Sequence, residues 1–316
     1  MPSSALVLTG ILSVQVGAGL AARMFSQVTP AQMTGLRLWS SALLVAALGG
    51  RELARSLRDL VRERAWRDAA VAVAFGVTLG IMNYSIYQSF ARIPLGIAVT
   101  IEFLGPLAVA VASSRRLIDL VWVGLAGAGV ALLSSGWASL AHGGRGGAGT
   151  AGLAVSGVAF ALVAATCWAA YILLSASTGR RFRGSSGLTI AMAVAAVVVT
   201  PAAAVPGSAG YGGLLRPGVL ATGVAVGLLS SVIPYRLELE VLRQIPARIF
   251  GIWMSIEPAA AALAGLVLLG EALALREWAA IVCVMLACAG AARGAPAAGP
   301  DSPAEQAAAL PPPPAP

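Results

Sequence analysis

Charged side chains stand inside stretches of this sequence that are otherwise apolar. An ionisable group at the middle of a membrane costs at least about 2.5 to 3.5 kcal/mol on insertion scales, so each one calls for a partner, a water-filled cavity or a function. A carboxylate in such a place can bind a proton or an ammonium group. The residues concerned are Arg37, Glu102, Arg236, Glu238, Glu240 and Glu257.

Glu102 and Glu257 are the strongest candidates because each lies beside a proline. Glu102 precedes Pro106 by four residues, and Glu257 directly precedes Pro258. A proline inside a helix deprives a carbonyl one turn earlier of its hydrogen bond. We therefore predict helix breaks at Pro106 and Pro258, where freed carbonyls and a carboxylate bind a proton or an ammonium group. The alternative is that each glutamate is protonated or paired with Arg37 and only joins helices.

A third carboxylate, Glu238, belongs to a cluster of charges. Arg236 and Glu240 are four residues apart on one helix face and can neutralise each other near the membrane surface. Glu238 lies on a different face, three residues from Tyr235. It therefore either faces a cavity or extends to the interface.

Amide and aromatic side chains recur at helical spacing near these carboxylates. Such stripes serve as packing or as interfacial belts as well as ligand contacts. Their coincidence with Glu102 favours a pocket with a polar lining. The candidates for that lining are Asn83, Tyr84, Tyr87, Trp168, Tyr171 and Tyr235.

Enzymatic chemistry lacks its usual residues in this chain. The single histidine, His142, lies in a Gly-rich segment, and lysine is absent, which excludes histidine-based triads and a phosphate loop with lysine. The three cysteines lie within apolar stretches without a metal-ligand spacing. We expect no enzyme, no cofactor and no metal site.

The elements that must hold these residues are membrane helices. Hydrophobic residues make up 58% of the 316, charged residues 11%, and mean hydropathy is +0.85. Each apolar stretch is long enough to cross a hydrocarbon core of about 30 Å. The sequence therefore predicts an all-α membrane protein with ten transmembrane helices. The stretches are 4–24, 32–50, 68–90, 95–113, 118–138, 151–175, 187–206, 217–242, 247–270 and 274–292.

An internal repeat organises these helices. Residues 76–133 recur in weakened form at 227–286, so that Pro94 and Pro106 match Pro246 and Pro258. Five spans per copy is an odd number, so the second copy must enter the membrane from the opposite side, which predicts two inverted five-helix repeats with a binding site between them. The predicted units are a first repeat (1–141), a Gly-rich linker (142–150), a second repeat (151–293) and a disordered Pro/Ala-rich tail (294–316).

The arginines predict the orientation. All 21 basic residues are arginine, and most fall in alternate connections between the apolar stretches. Cytoplasmic loops carry the excess of arginine, so both termini are predicted to be cytoplasmic. The net charge of +8 then reflects topology, and nucleic acid is not an expected partner. The arginine-rich segment 51–67 is either an amphipathic helix at the inner surface or a solvated loop.

Several segments resemble the EamA-domain branch of the drug/metabolite transporter superfamily, in particular its exporters of threonine and homoserine in bacterial inner membranes. The resemblance covers nearly all ten helices and omits the tail. It implies ten helices in two inverted repeats, a central cavity open to one side at a time, and secondary export of small amino-containing metabolites. The segments are GIMNYSIY (80–87), PLGIAVTIEFLGPLAVA (94–110), CWAAYIL (167–173), PYRLE (234–238) and MSIEPA (254–259).

The predicted function is therefore export of small amino acids, such as threonine or homoserine, across the inner membrane by alternating access. The proton is the expected coupling ion, because a glutamate can take up a proton in one conformation and release it in the other. An exporter of another metabolite or of a drug-like cation is the alternative. An intramembrane enzyme or a non-transporting receptor is a more distant one.

Overall fold

Helices make up most of the described part of the chain. The computed structural model describes residues 3–62, 65–113, 116, 118–141, 148–182, 186–205 and 213–294, and this part contains helices and short connections but no strand. The helices are α1 (Ser3–Arg23), α2 (Pro30–Arg62), α3 (Trp66–Phe90), α4 (Leu95–Glu102), α5 (Leu104–Ala112), α6 (Asp119–Ala141), α7 (Ala148–Arg181), α8 (Ser186–Ala203), α9 (Pro217–Gly227), α10 (Ile233–Gln244), α11 (Ala247–Met254), α12 (Glu257–Ala264) and α13 (Leu275–Gly294).

Length and composition make most of these helices membrane spans. Within the described residues, nine helical segments are long and apolar enough to cross a membrane. The predicted span 118–138 corresponds to α6, which is helical from Asp119 to Ala141 and whose apolar part is described as far as Leu133. The all-helical membrane class is thus confirmed, while the count of ten spans stays a prediction.

Two spans are interrupted in the same way. α4 and α11 are each eight residues long, and each begins after a proline in extended conformation, with ψ of 141° at Pro94 and 144° at Pro246. The helix then breaks at Phe103 between α4 and α5, and at residues 255–256 between α11 and α12. Both breaks fall about three residues before the prolines predicted to cause them, Pro106 and Pro258. Neither proline has an N–H to donate to the carbonyl one turn earlier.

Two π-helical turns add further irregular backbone. One, Leu228–Val232, separates α9 from α10, and the other, Gly265–Leu269, follows α12. Gly270 ends the second turn with φ of 73°, a left-handed conformation that glycine adopts without a steric penalty. π-turns inside helices are uncommon and often occur at functional sites.

The described residues of the segment 51–67 are helical except Ala65, which precedes α3. α2 kinks at Gly49, with φ of −110° and ψ of 16°, and then continues to Arg62. The hydroxyl of Ser56 donates to that of Ser186 at 2.8 Å. Of the two alternatives for this segment, the helix is therefore observed up to Arg62, and residues 63–64 lie outside the described part.

Helices from the two halves of the chain pack against each other. α3 packs on α7 and α8, α2 packs on α8 and α9, α1 packs on α10, and α6 packs on α13. The broken helices meet where α4 contacts α12, with Gly96 directly against the backbone of Ala262. Small residues at such crossings let membrane helices approach closely. Most of the predicted linker (142–147) and the tail from residue 295 lie outside the described residues, so the domain boundaries stay predictions.

Candidate binding cavity

A cavity of about 620 Å³ lies between the two halves. Its wall is formed by α1 to α5 from the first part of the chain and by α7 and α10 to α13 from the second, together with the π-turn before α10. Such a volume is in the range that holds a small molecule. The wall contains the polar side chains of Gln15, Arg37, Asn83, Tyr87, Glu102, Trp168, Tyr171, Ser230, Glu238 and Glu257.

The structure brings most of the predicted site residues together. Nine of the twelve line the cavity: Arg37, Asn83, Tyr87, Glu102, Pro106, Trp168, Tyr171, Glu238 and Glu257.

Three predicted residues are placed differently. Tyr84 packs edge to face against Phe160, with ring centroids 6.3 Å apart, and is not part of the described cavity wall. Pro258 is buried behind Glu257 at the start of α12. The side chain of Tyr235 lies outside the described part of the structure.

Glu257 is buried and held by one hydrogen bond. Gln15 Nε2, from α1, donates to Glu257 Oε1 at 2.9 Å. The other carboxylate oxygen, Oε2, is buried without a hydrogen-bond partner among the described residues. Because buried polar atoms are normally paired, this free oxygen is the sort of group that a ligand satisfies.

Arg37 brings a positive charge into the cavity. Its Nη2 donates to the carbonyl oxygen of Ser230 at 3.3 Å, and its guanidinium carbon lies 5.4 Å from the centre of the Tyr87 ring. Its Nε is buried without a partner among the described residues. The predicted alternative, that Arg37 pairs with a glutamate as helix glue, is not seen as a direct ion pair within the described part.

Glu102 ends α4 next to the break at Phe103. Pro106 cannot donate to the Glu102 carbonyl, so both the backbone and the side chain of this residue offer oxygens there. Phe103 packs edge to face on Trp168, with ring centroids 4.9 Å apart. The Glu102 carboxylate interacts electrostatically with Arg37 and with Glu257.

The charges in the described wall do not balance. Three carboxylates, Glu102, Glu238 and Glu257, share the cavity with one guanidinium, Arg37. If all three ionised, two negative charges would lack a counter-ion in a medium of low dielectric constant, which is strongly unfavourable. Protons or a cationic ligand group would remove this imbalance.

Two of the polar residues in the described cavity wall were not identified as site residues from the sequence. Gln15 lies in the first apolar stretch, and Ser230 lies in the π-turn. Gln15 could have been identified from the sequence, because an amide inside a membrane span must find a hydrogen-bond partner. Ser230 could not have been identified, since serine is common in closely packed membrane helices.

The cavity extends toward one end of the helix bundle. Leu6, near the start of α1, and Ala292, near the end of α13, both belong to its wall. Contacts join the two halves at this end, where the Ser3 hydroxyl donates to Gln244 Oε1 at 2.8 Å and Arg181 pairs with Asp68. At the opposite end the two halves are joined by backbone-directed hydrogen bonds. Arg23 Nε donates to the Leu268 carbonyl at 2.6 Å, and the Leu95 N–H donates to Glu271 Oε2 at 2.8 Å.

Glu271 lies in the connection between two spans and is half-buried. Burial raises the pKa of Glu271 above its ordinary value of 4.5, while the hydrogen bond from the Leu95 N–H lowers it. The carboxylate lies at the N-terminus of α4, where the unpaired N–H groups and the helix dipole favour negative charge.

Fold and cavity together define a multi-pass helical membrane protein with a solute-sized binding space between its two halves. Residues 155–293 match the EamA-like transporter family. The threonine/homoserine exporter RhtA of Salmonella typhimurium strain LT2 is 36% identical over 84% of this chain and 83% of its own length. RhtA of Escherichia coli K12 is 37% identical over 85% of this chain and 83% of its own.

A crystal structure with 18% sequence identity matches 91% of this chain and 97% of its own, with a TM-score of 0.54, which concerns the fold alone. On the strength of the sequence matches, the chain belongs to the EamA-like transporter family. It is therefore a membrane transporter and not an enzyme, as the sequence predicted.

Proposed function

We propose that this protein exports small amino acids, such as threonine or homoserine, across the inner membrane by alternating access, in exchange for protons. The observation that carries the proposal is the cavity of about 620 Å³, whose wall combines one guanidinium, three carboxylates and aromatic rings between the two halves of the chain. Threonine and homoserine are also what the two RhtA relatives are named as exporting.

Ten helices in two inverted repeats are part of the proposal. In this arrangement α1, α2 and α3 of the first repeat correspond to α7, α8 and the α9–α10 pair of the second. The contact of α3 with α7 then has its counterpart in α1 with α10, and that of α3 with α8 in α2 with α9. When the helices of the two repeats are exchanged, the pairs α2–α8 and α6–α13 each remain the same pair. This exchange of partners is what a two-fold axis in the membrane plane requires.

Alternating access needs two ends that open in turn. The cavity extends to the end of the bundle where α1 begins, and hydrogen bonds from Arg23 and Leu95 join the halves at the other end. With both termini in the cytoplasm, this arrangement is a conformation that faces the cytoplasm. Export then requires the Arg23 and Leu95 contacts to open while the cytoplasmic side closes.

Proton exchange follows from the charges in the wall. Glu102 and Glu257 are the proposed proton sites, because each lies at a helix break in the cavity. A carboxyl group favours its neutral form in a dry site and its ionised form when water enters. The two conformations therefore differ in proton affinity, which couples proton movement to transport.

Efflux of labelled amino acids from cells that overproduce the protein tests this function. We expect faster loss of threonine and homoserine than from cells carrying the empty vector. Faster efflux of a labelled organic cation, with no effect on any amino acid, would instead support the drug-like cation alternative. An unchanged efflux of the whole panel would reject the proposal.

Reporter fusions test the orientation independently of substrate. Fusions at Arg58, Arg181 and the C-terminal tail should report a cytoplasmic position, and one at Gly146 an external position. An external C-terminus would contradict both the orientation and the inverted repeats.

A further inference from the structure

Unpaired polar atoms in the cavity wall fall into two groups of opposite hydrogen-bonding character. Buried polar atoms are nearly always paired, so a cluster of unpaired ones indicates a ligand. In the described cavity wall, the unpaired groups able to donate are Arg37 Nε, Tyr87 Oη and Ser230 Oγ. The unpaired acceptors are Gln15 Oε1 and Glu257 Oε2. All five residues line the cavity.

The three donors form one cradle built from different elements. Arg37 lies on α2, Tyr87 on α3 and Ser230 on the π-turn between α9 and α10. The guanidinium touches both partners, since it lies 5.4 Å from the Tyr87 ring centre and donates to the Ser230 carbonyl at 3.3 Å. A planar guanidinium and two hydroxyls together match the hydrogen-bonding needs of a carboxylate.

The π-turn holds Ser230 in place. The hydroxyl of Ser13 donates to the Leu229 carbonyl at 2.7 Å, and that of Ser41 donates to Ser231 Oγ at 3.1 Å. Gly17 of α1 lies directly against Ser230 Oγ, where a larger residue would not fit. Ser230 is therefore held with its hydroxyl against Gly17 of α1 at the cavity wall, while its neighbour Ser231 is paired with α2.

The two acceptors form a second cradle. Gln15 Nε2 donates to Glu257 Oε1 at 2.9 Å, which fixes both side chains and leaves Gln15 Oε1 and Glu257 Oε2 available. An ammonium group has three donors and no acceptor, so it complements such a pair. The negative charge of an ionised Glu257 strengthens these hydrogen bonds.

The two cradles lie at nearly the same level along α1. Gly17, which contacts Ser230, is two residues after Gln15 on α1, a rise of about 3 Å along the helix axis. In an α-amino acid the ammonium and carboxylate groups are attached to the same carbon. We propose that Arg37, Tyr87 and Ser230 bind the substrate carboxylate while Gln15 and Glu257 bind its ammonium group, so that the cavity selects zwitterions. This inference rests on the proposed export of small amino acids and names the residues that determine its specificity.

A consequence concerns Glu257, which then has two competing ligands. The substrate ammonium group and a proton both neutralise the same carboxylate and cannot occupy it together. Release of the amino acid allows a proton to bind, and loss of the proton allows the next amino acid to bind. Exchange of protons for substrate needs no further ion in this scheme.

Binding of three related probes to the purified full-length protein in detergent tests the inference. L-threonine has both charged groups, L-threoninol lacks the carboxylate, and 3-hydroxybutyrate lacks the ammonium group. For the wild type we expect threonine to bind at least about 10-fold more tightly than either one-ended probe, which corresponds to the loss of one charge-assisted contact. Isothermal titration calorimetry measures all three.

Matched variants assign each end of the substrate. Arg37→Gln should weaken threonine binding by roughly 10- to 100-fold and leave threoninol binding unchanged. Ser230→Ala and Tyr87→Phe should weaken threonine binding by a smaller factor. Ser231→Ala serves as the control, because Ser231 is paired with Ser41. Glu257→Gln should weaken threonine binding and leave 3-hydroxybutyrate binding unchanged. A purely structural role for any of these residues would weaken all probes together.

Equal binding of threonine and threoninol to the wild type would overturn the inference, even if amino acid efflux is observed in cells. Ser231→Ala weakening threonine as much as Ser230→Ala would overturn the assignment of the donor cradle. Absence of both binding and efflux for every amino acid would instead reject the proposed function, and this inference with it. Tyr87→Phe removes a single hydroxyl, so it remains informative if Arg37→Gln fails to fold.

Discussion

The two broken helices have matching backbones and different chemistry. An offset of 152 residues superposes Pro94 on Pro246 and Pro106 on Pro258, and both helices break about three residues before the second proline. The same offset places Glu102 on Met254 and Glu257 on Gly105. The first break thus carries its glutamate on the N-terminal side and the second carries it on the C-terminal side.

This difference shows which part of a repeat the sequence preserves. Prolines determine the backbone, because a missing N–H breaks a helix wherever it occurs. The carboxylates depend on their neighbours, and these differ between the copies. Glu257 accepts a hydrogen bond from Gln15, whereas Gly105 lies against the backbone carbonyl of Ala165 and leaves no room for a side chain.

The largest expected effect comes from adding a side chain at the first break. In Gly105→Ala the new methyl group would overlap the Ala165 carbonyl oxygen, which is backbone and cannot move aside. Overpacking of this kind lowers the stability of the folded protein by about 1 to 3 kcal/mol or more. We expect a marked loss of monodisperse protein after detergent extraction, measured by size-exclusion chromatography.

Gly127→Ala is the matched control, because no atom lies within 4 Å of the added methyl group there. It should extract like the wild type or slightly better, as alanine is favoured over glycine inside a helix by about 0.5 to 1 kcal/mol. Normal extraction of Gly105→Ala would show that the first break tolerates a side chain, contrary to the asymmetry described above.

The next effect concerns the two glutamates. Glu102→Gln and Glu257→Gln keep size and hydrogen bonding but remove ionisation. If these residues carry protons, each change should abolish the pH dependence of efflux with little change in membrane abundance. Labelled threonine efflux between pH 6 and pH 8, with immunoblotting of membranes, measures both. Wild-type behaviour of both variants across that range would make the carboxylates structural.

A smaller effect is expected at Glu271, which joins the halves at the end away from the cavity opening. Glu271→Ala removes the acceptor for the Leu95 N–H. It should lower the free energy of unfolding by about 1 kcal/mol, as loss of an acceptor at a helix N-terminus does. Thermal unfolding followed by intrinsic fluorescence measures this.

The pH dependence at Glu271 has a defined sign. Burial holds its pKa above the ordinary value of 4.5, so the folded protein binds this proton more tightly than the unfolded chain does. This contribution to stability is present below pH 4.5 and is lost as the pH rises through the raised pKa. Glu271→Gln should therefore show a flatter decline of stability above pH 4.5 than the wild type. An unchanged profile would contradict the account of this residue.

The smallest effect is expected from the tail. Truncation after Arg293 removes a Pro/Ala-rich segment whose composition predicts no packed structure. Efflux by the truncated protein should match that of the full chain. A large loss of efflux with normal membrane abundance would give the tail a function that its composition does not indicate.

Much of the architecture could be predicted, because apolar length and proline position act locally. The breaks near Pro106 and Pro258 are examples. The cavity lining could be predicted only in part. Tyr84 and Tyr87 are three residues apart on α3, yet Tyr87 lines the cavity and Tyr84 packs on Phe160. Which side of a helix faces the cavity depends on contacts with distant helices.

The π-turn at Leu228–Val232 could not be predicted at all. It is held by hydroxyls of α1 and α2 that are 216 and 190 residues away in sequence. The unpaired state of Ser230 and of Gln15 Oε1 likewise exists only once the helices are assembled.

The central claim is that the cavity exchanges protons for an amino acid. Purified protein reconstituted into vesicles at pH 6 inside and pH 8 outside tests it directly, since protons leaving the vesicles should drive labelled L-threonine inward. We predict accumulation above equilibrium that collapses when a protonophore is added and is absent with Glu257→Gln. Threonine uptake that only equilibrates, with the same extent in the presence or absence of the pH gradient, would contradict proton exchange.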